Sequence, residues 1–165
     1  MVKAWIVVMG VSGCGKSSLG AALAADLGLP LIEGDDFHPP ANVSKMSAGI
    51  ALTDADRAGW LETLVGALSA SPSGAVLTCS SLKRRYRDQL RTAVPDLRFV
   101  FLALTREEAE RRVAARGAHF FSASLVADQI ATLESPVGEP GVLEVQATAP
   151  LEDSTARVRR WLQAA

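Results

Sequence analysis

Ala4-Trp5-Ile6-Val7-Val8-Met9-Gly10-Val11-Ser12-Gly13-Cys14-Gly15-Lys16-Ser17 passes from an apolar, β-favouring run directly into a glycine-rich turn. The run from Ala4 to Met9 has no polar alternation, the mark of a strand buried on both faces, as in a parallel sheet. Gly10 to Ser17 fits G-x-x-x-x-G-K-[ST], and beyond it Leu19, Leu23 and Leu27 recur at helical spacing until Gly28 and Pro30. A strand, a loop and a helix from Ser17 to Leu27 are therefore expected in that order. Glycines let successive loop N–H groups turn towards a phosphate, and the following helix adds its positive dipole end. Gly10, Val11, Ser12, Gly13, Cys14, Gly15, Lys16, Ser17 and Ser18 form the expected nucleotide-binding segment. Within it Lys16 reaches the β- and γ-phosphates, and the Ser17 hydroxyl is a ligand for Mg2+.

Outward from this loop the same alternation continues. A short strand, Leu31-Ile32-Glu33, runs into Gly34-Asp35-Asp36-Phe37-His38-Pro39-Pro40, where two prolines are expected to prevent either regular element from continuing. Thr53 with Asp56 resembles a capping box ahead of a helix carrying Leu61, Leu64, Val65 and Leu68. Strands are expected at Ala75 to Cys79, Arg98 to Leu102 and Leu143 to Gln146. Helices are expected at Lys83 to Thr92, after Thr105, and around Val158, Trp161 and Leu162. Strands alternating with helices imply an α/β fold of three layers, with a central parallel sheet covered on both faces and ligands bound outside the carboxyl ends of its strands.

Composition narrows the function. The 165 residues are 48% hydrophobic and 21% charged with a formal net charge of -1, a balance that suits one compact domain over residues 1–165 and offers no broad basic field for nucleic acid. No apolar run approaches the roughly 18 residues needed to span a bilayer, so a cytoplasmic protein without a membrane partner is expected. Cys14 and Cys79 stand far apart with no ligand cluster around them, and read as reduced thiols.

Chemistry gathers at the expected strand ends. Asp35, following the second strand, would face the crevice beside the phosphate loop and either take a proton from an attacking hydroxyl or orient it. Asp36 is the weaker candidate. Asp56-Arg57-Ala58-Gly59 matches the Asp-x-x-Gly of guanine-nucleotide switches only by letter, within an expected helix, and no Asn-Lys-x-Asp element accompanies it. The strand Ala75 to Cys79 ends in Cys79-Ser80-Ser81 without an aspartate, leaving Mg2+ to Ser17, phosphates and water. A small-molecule kinase fits these features, and a nucleotide-binding regulatory module is the rival from another class.

The chain resembles the thermoresistant gluconokinase family over most of its length. The resemblance rests on the phosphate loop, on Glu33 to Met46, on Leu52-Thr53-Asp54 with Asp56-Arg57 and Trp60-Leu61, and on Cys79-Ser80-Ser81-Leu82-Lys83-Arg84 with Tyr86-Arg87-Asp88. It implies ATP and Mg2+ as cofactors, D-gluconate as acceptor at its 6-hydroxyl, and a dimer as a plausible assembly. It further implies that Asp35, His38, Lys45, Arg57, Lys83 and Arg87 surround a polyhydroxylated acid, with cations for its carboxylate and hydrogen bonds for its hydroxyls. The alternative reading makes Arg57 and Lys83 solvated helix charges and His38 a loop hydrogen-bonder, and Arg106, Arg111 and Arg112 read equally as a charged helix face.

Arg112, Arg116, His119-Phe120, Gln129, Leu133-Glu134 and Pro136 look like the lid of that family, spanning about 106–135. Arg112 and Arg116 lie one helical turn apart and can aim at one phosphate, with Arg116 expected to join Lys16 and Asp35 in catalysis. His119 is carried over as an acceptor contact. Shikimate or nucleoside monophosphate kinases are the nearest alternatives and would need a different acceptor pocket.

Overall fold

The computed structural model describes residues 3–115 and 123–164. Its parallel sheet comprises Ala4–Met9 (β1), Leu31–Glu33 (β2), Gly74–Thr78 (β3), Arg98–Ala103 (β4) and Val142–Gln146 (β5), in the order β2-β3-β1-β4-β5. The α-helices are Lys16–Leu27 (α1), Pro40–Ser47 (α2), Asp54–Ser69 (α3), Arg84–Arg91 (α4), Arg106–Ala115 (α5), Ala123–Thr132 (α6) and Leu151–Ala164 (α7). A 3-10 turn covers Gly34–Phe37.

The lack of alternation in β1 has the expected cause, because both faces of the sheet are covered. Ile6 and Val8 point into one core with Leu19 and Leu23 of α1 and Val158 of α7. Val7 and Met9 point the other way, to Leu61, Leu64 and Leu68 of α3 and Leu90 of α4. Register keeps the two sets apart, since Ile6 pairs with Val76 and Val7 with Leu77. The chain therefore forms the α/β fold its pattern implied, and β1 lies at the centre with the glycine-rich turn at its carboxyl end.

Local signals explain the helix boundaries. The Thr53 hydroxyl accepts the Asp56 N–H at 3.1 Å while Asp56 Oδ2 accepts the Thr53 N–H at 2.9 Å, completing the capping box of α3. Gly28 closes α1 in the left-handed region at φ 67°. Neither β2 nor the 3-10 turn continues through Pro39 and Pro40, as expected, but Pro40 also opens α2, because the first helical position needs no N–H donor and favours the fixed φ of proline.

One expectation needs correcting, that of Arg87, which the family resemblance placed around the substrate. It is fully buried. Its guanidinium donates to both carboxylate oxygens of Glu139, at 2.6 and 3.0 Å, and to the carbonyls of Ser81 and Leu82, at 2.8 and 3.2 Å. Arg91 adds a contact to Glu139 at 2.9 Å. Burial pushes the Glu139 carboxyl up, but the two arginines outweigh it and hold the pKa below the usual carboxylate range. Arg87 thus ties the loop after β3 to the segment before β5. Replacing Glu139 with leucine strands a buried guanidinium and should cost about 3–5 kcal/mol, read as a lower urea midpoint at unchanged m-value.

Candidate active site

Carboxyl ends of β1, β2 and β3 converge on one cleft. After β1 the loop turns at Gly10 (φ +146°), where a Cβ would lie 2.7 Å from Cys14 Sγ, so only glycine fits. The Gly10 N–H donates to Ser80 O at 3.3 Å, fastening the loop to the end of β3. The N-terminus of α1 has no side-chain cap and no acidic residue in its first turn, leaving its N–H groups for an anion. Lys16 Nζ is held in front of the loop by the carbonyls of Gly10 and Val11, at 3.0 and 3.2 Å. Ser17 and Ser18 are exposed at the same helix end.

Ser17 brings a carboxylate that sequence reasoning left without a role. Its hydroxyl donates to Glu33 Oε2 at 3.0 Å, and the Thr78 hydroxyl donates to the same oxygen at 2.7 Å. Oxygen donors of this kind suit Mg2+, so the residues present fit the ion that Ser17 was expected to hold. The signal lay in the position of Glu33, last in β2 and next to Gly34-Asp35. Gly34 itself is required by close approach, because a Cβ there would overlap the Thr78 carbonyl. Glu33→Gln is expected to raise the Mg2+ concentration for half-maximal activity about 10–100-fold, measured by titrating Mg2+ at fixed ATP.

Asp35 sits on the 3-10 turn with its side chain 48% exposed, opening into the cleft. Desolvation by the cleft walls raises its pKa; Lys16 opposes the rise, while Glu33 and Asp36 add to it. Its Oδ1 is 3.8 Å from His38 Nε2, beyond hydrogen-bond length. His38 stacks on Trp60 with centroids 4.0 Å apart, and Trp60 Nε1 donates to Gly34 O at 2.8 Å. Asn42 Nδ2 donates to Asp56 O at 3.0 Å and lies 3.2 Å from His38 Nδ1. An amide N–H facing Nδ1 makes that nitrogen the acceptor and leaves the proton on Nε2, towards Asp35. Burial, with the Arg57 charge, lowers the His38 pKa to about 4, so the ring is neutral at physiological pH.

Arg57 lines the cleft with Lys16, Asp35 and His38. Its Nη1 donates to the Tyr86 hydroxyl at 3.1 Å, and that hydroxyl donates to Asp54. Lys45 and Lys83 do not line the cleft. Lys45 pairs with Asp56 at 2.7 Å and Lys83 with Asp54 at 3.0 Å, so each cation is answered by a carboxylate at the start of α3. From α5, Arg112 donates to Gly13 O in the phosphate loop at 3.2 Å and to Ala147 O just past β5 at 3.3 Å. Arg116 and His119 lie outside the described residues. Asp128, Gln129 and Thr132 of α6 close the cleft from above. Asp128 and Thr132 carried no signal in the sequence beyond a helix face.

A second cavity, about 350 Å³, lies on the other side of the loop between Cys14, Gly15, Ser18, Leu102, Arg112 and Gln146. The loop therefore lies between two spaces, one lined by Lys16, Asp35, His38 and Arg57 and the other by Leu102, Arg112 and Gln146. A strand-borne glycine-rich loop with a space on either side and an arginine of α5 reaching it has the layout of a P-loop kinase.

Comparison with known proteins agrees. Residues 6–136 match the AAA domain family model. The chain is 48% identical to the gluconokinase of Gluconobacter oxydans, covering 86% of this chain and 81% of that one. It is 38% identical to the thermoresistant gluconokinase of Escherichia coli, covering 91% and 88%. The crystal structure of a gluconokinase from Sinorhizobium meliloti superposes with a TM-score of 0.86 at 43% identity, covering 99% and 98%. This chain belongs to the gluconokinase family.

Proposed function

We propose that the protein transfers the γ-phosphoryl group of ATP to the 6-hydroxyl of D-gluconate, releasing ADP and 6-phospho-D-gluconate. The observation that carries this reading is the single cleft in which Lys16, Asp35, His38 and Arg57 meet beside the phosphate loop. Arg57 offers a fixed cation to the sugar acid's carboxylate. Asp35 receives or orients the attacking hydroxyl, and the neutral His38 places an N–H donor next to it. Adenine lies in the cavity bounded by Leu102 and Gln146, with the phosphates running across α1 to Lys16. Ser17 and Glu33 would hold Mg2+, which when bound offsets the charge on the β- and γ-phosphates. Lys45, Lys83 and Arg87 are paired with Asp56, Asp54 and Glu139 away from the cleft and take a structural part. Among the described residues no helix is long and apolar enough to cross a membrane. ATP as donor and two free buried thiols suit a cytoplasmic setting.

The test is ADP release from Mg-ATP with gluconate, shikimate, nucleoside monophosphates or no acceptor in parallel. Release that depends on gluconate is the expected result. Release with another acceptor would overturn the substrate, and ATP binding without acceptor-dependent release would favour a regulatory module.

A further inference from the structure

Gln129 is 9% exposed on α6, yet its side chain reaches the phosphate loop. Its Oε1 accepts the buried Ser12 N–H at 2.7 Å. A backbone N–H can only donate, so the carbonyl end of the amide must face the loop and the NH2 end must face away from it. Among the described residues no protein acceptor takes Nε2, and the side chain lines the cleft shared with Lys16, Asp35 and Ser80. Among the described residues, then, one half of the amide is committed to protein and its two donors have no protein acceptor.

Its height above the loop is set from behind. Val126 on the same helix is fully buried in the core beneath the sheet, and Leu125 packs with Met46 and Leu52. Just past the helix, the Glu134 N–H donates to Leu82 O at 2.8 Å, and Glu134 Oε1 accepts the Arg84 N–H at 2.9 Å. A helix anchored on two sides cannot slide to satisfy Nε2 elsewhere, and a half-used amide in a polar cleft calls for an oxygen-rich partner.

We propose that Gln129 is a further substrate-contacting residue: its carbonyl oxygen holds Ser12 in the phosphate loop while its NH2 group donates to a hydroxyl oxygen of the bound sugar acid. One amide then registers the acceptor against the loop that carries the donor. The inference rests on the gluconate kinase reading. It differs from a packing role in requiring the donors, which Q129E and Q129M both lack, whereas Q129E keeps an acceptor for Ser12 and Q129M does not.

Steady-state ADP release as a function of gluconate, with thermal midpoints measured in parallel, separates the two roles. Both variants are expected to raise KM for gluconate about 10–100-fold, the range for losing a hydrogen bond in a site built to make it, with Q129E melting close to the unaltered protein. A normal gluconate KM in Q129E beside an impaired Q129M would reduce Gln129 to a support for Ser12 and overturn the proposal, as would normal values in both. If the unaltered protein shows no gluconate-dependent release, the gluconate reading itself fails, and this assignment of the acceptor fails with it.

Discussion

Asp35→Asn is expected to lower kcat for gluconate-dependent ADP release by about 10²–10⁴-fold, the span typical of a lost general base. The amide keeps the size of the side chain but carries no negative charge and cannot receive a proton. If Asp35 serves the acceptor, as proposed, the Kd for Mg-ATP should change less than about threefold. Retained turnover in this variant would remove Asp35 from the reaction. Its pH behaviour gives a second reading. Desolvation raises the Asp35 pKa, so kcat/KM should fall as pH drops through that raised value, and this acid limb should vanish in Asp35→Asn. A limb that persists would belong to another group.

The same shift has a consequence for stability. A carboxyl whose pKa is higher folded than unfolded binds its proton more tightly in the folded state. Its contribution is therefore favourable at low pH and is lost as pH rises through the folded pKa. Asp35→Asn should then be as stable as the unaltered protein at neutral pH, or more so, which separates a catalytic defect from a folding defect. His38 works in the opposite direction. Its folded pKa of about 4 lies below the ordinary 6.5, so stability rises with pH across that window and acid should loosen the His38–Trp60 stack.

Lys16→Ala should be comparably severe, lowering kcat by about 10²–10³-fold and raising KM for ATP, because it removes a fixed charge from the transferring phosphoryl group. The lysine is held by two loop carbonyls, Gly10 O and Val11 O, so it stands ready in front of the loop and little reorganisation is needed when phosphate arrives. Lys16→Arg should not rescue, since a planar guanidinium cannot replace a compact ammonium between those carbonyls. Single-turnover ADP formation at saturating ATP distinguishes lost chemistry from lost affinity. Loss of less than about tenfold would be incompatible with the role assigned to Lys16.

How much of this was readable in the chain depended on how local each cause was. The phosphate loop is contiguous, so its residues, its strand and its helix could be read together from Ala4 to Leu27. The capping box of α3 spans four neighbouring positions, Thr53 to Asp56, and was equally plain. Asp35 drew notice because it follows a strand, where a parallel sheet presents ligands, whereas His38 came only with the family resemblance; the structure puts both in one cleft. The helix that starts at Pro40 was not legible, because a proline that stops one element can also stand at the first position of the next, and only the following turn decides.

The amino-acid sequence by itself determined the succession of strands and helices, the phosphate loop, and the residues available for acceptor chemistry, because each follows from spacing and residue type within a short stretch. Only the tertiary structure decided which charges face the cleft. Lys45, Lys83 and Arg87 look alike on paper, but Asp56, Asp54 and Glu139 claim them, while Arg57 meets a tyrosine hydroxyl instead of a carboxylate. Glu33 reaches Ser17, and Gln129 reaches Ser12 across 117 positions of chain. Helix periodicity says which face a side chain occupies; what stands opposite that face is set by sheet order and long-range packing, and the opposite partner determines whether a charge is spent on the protein or left for a substrate.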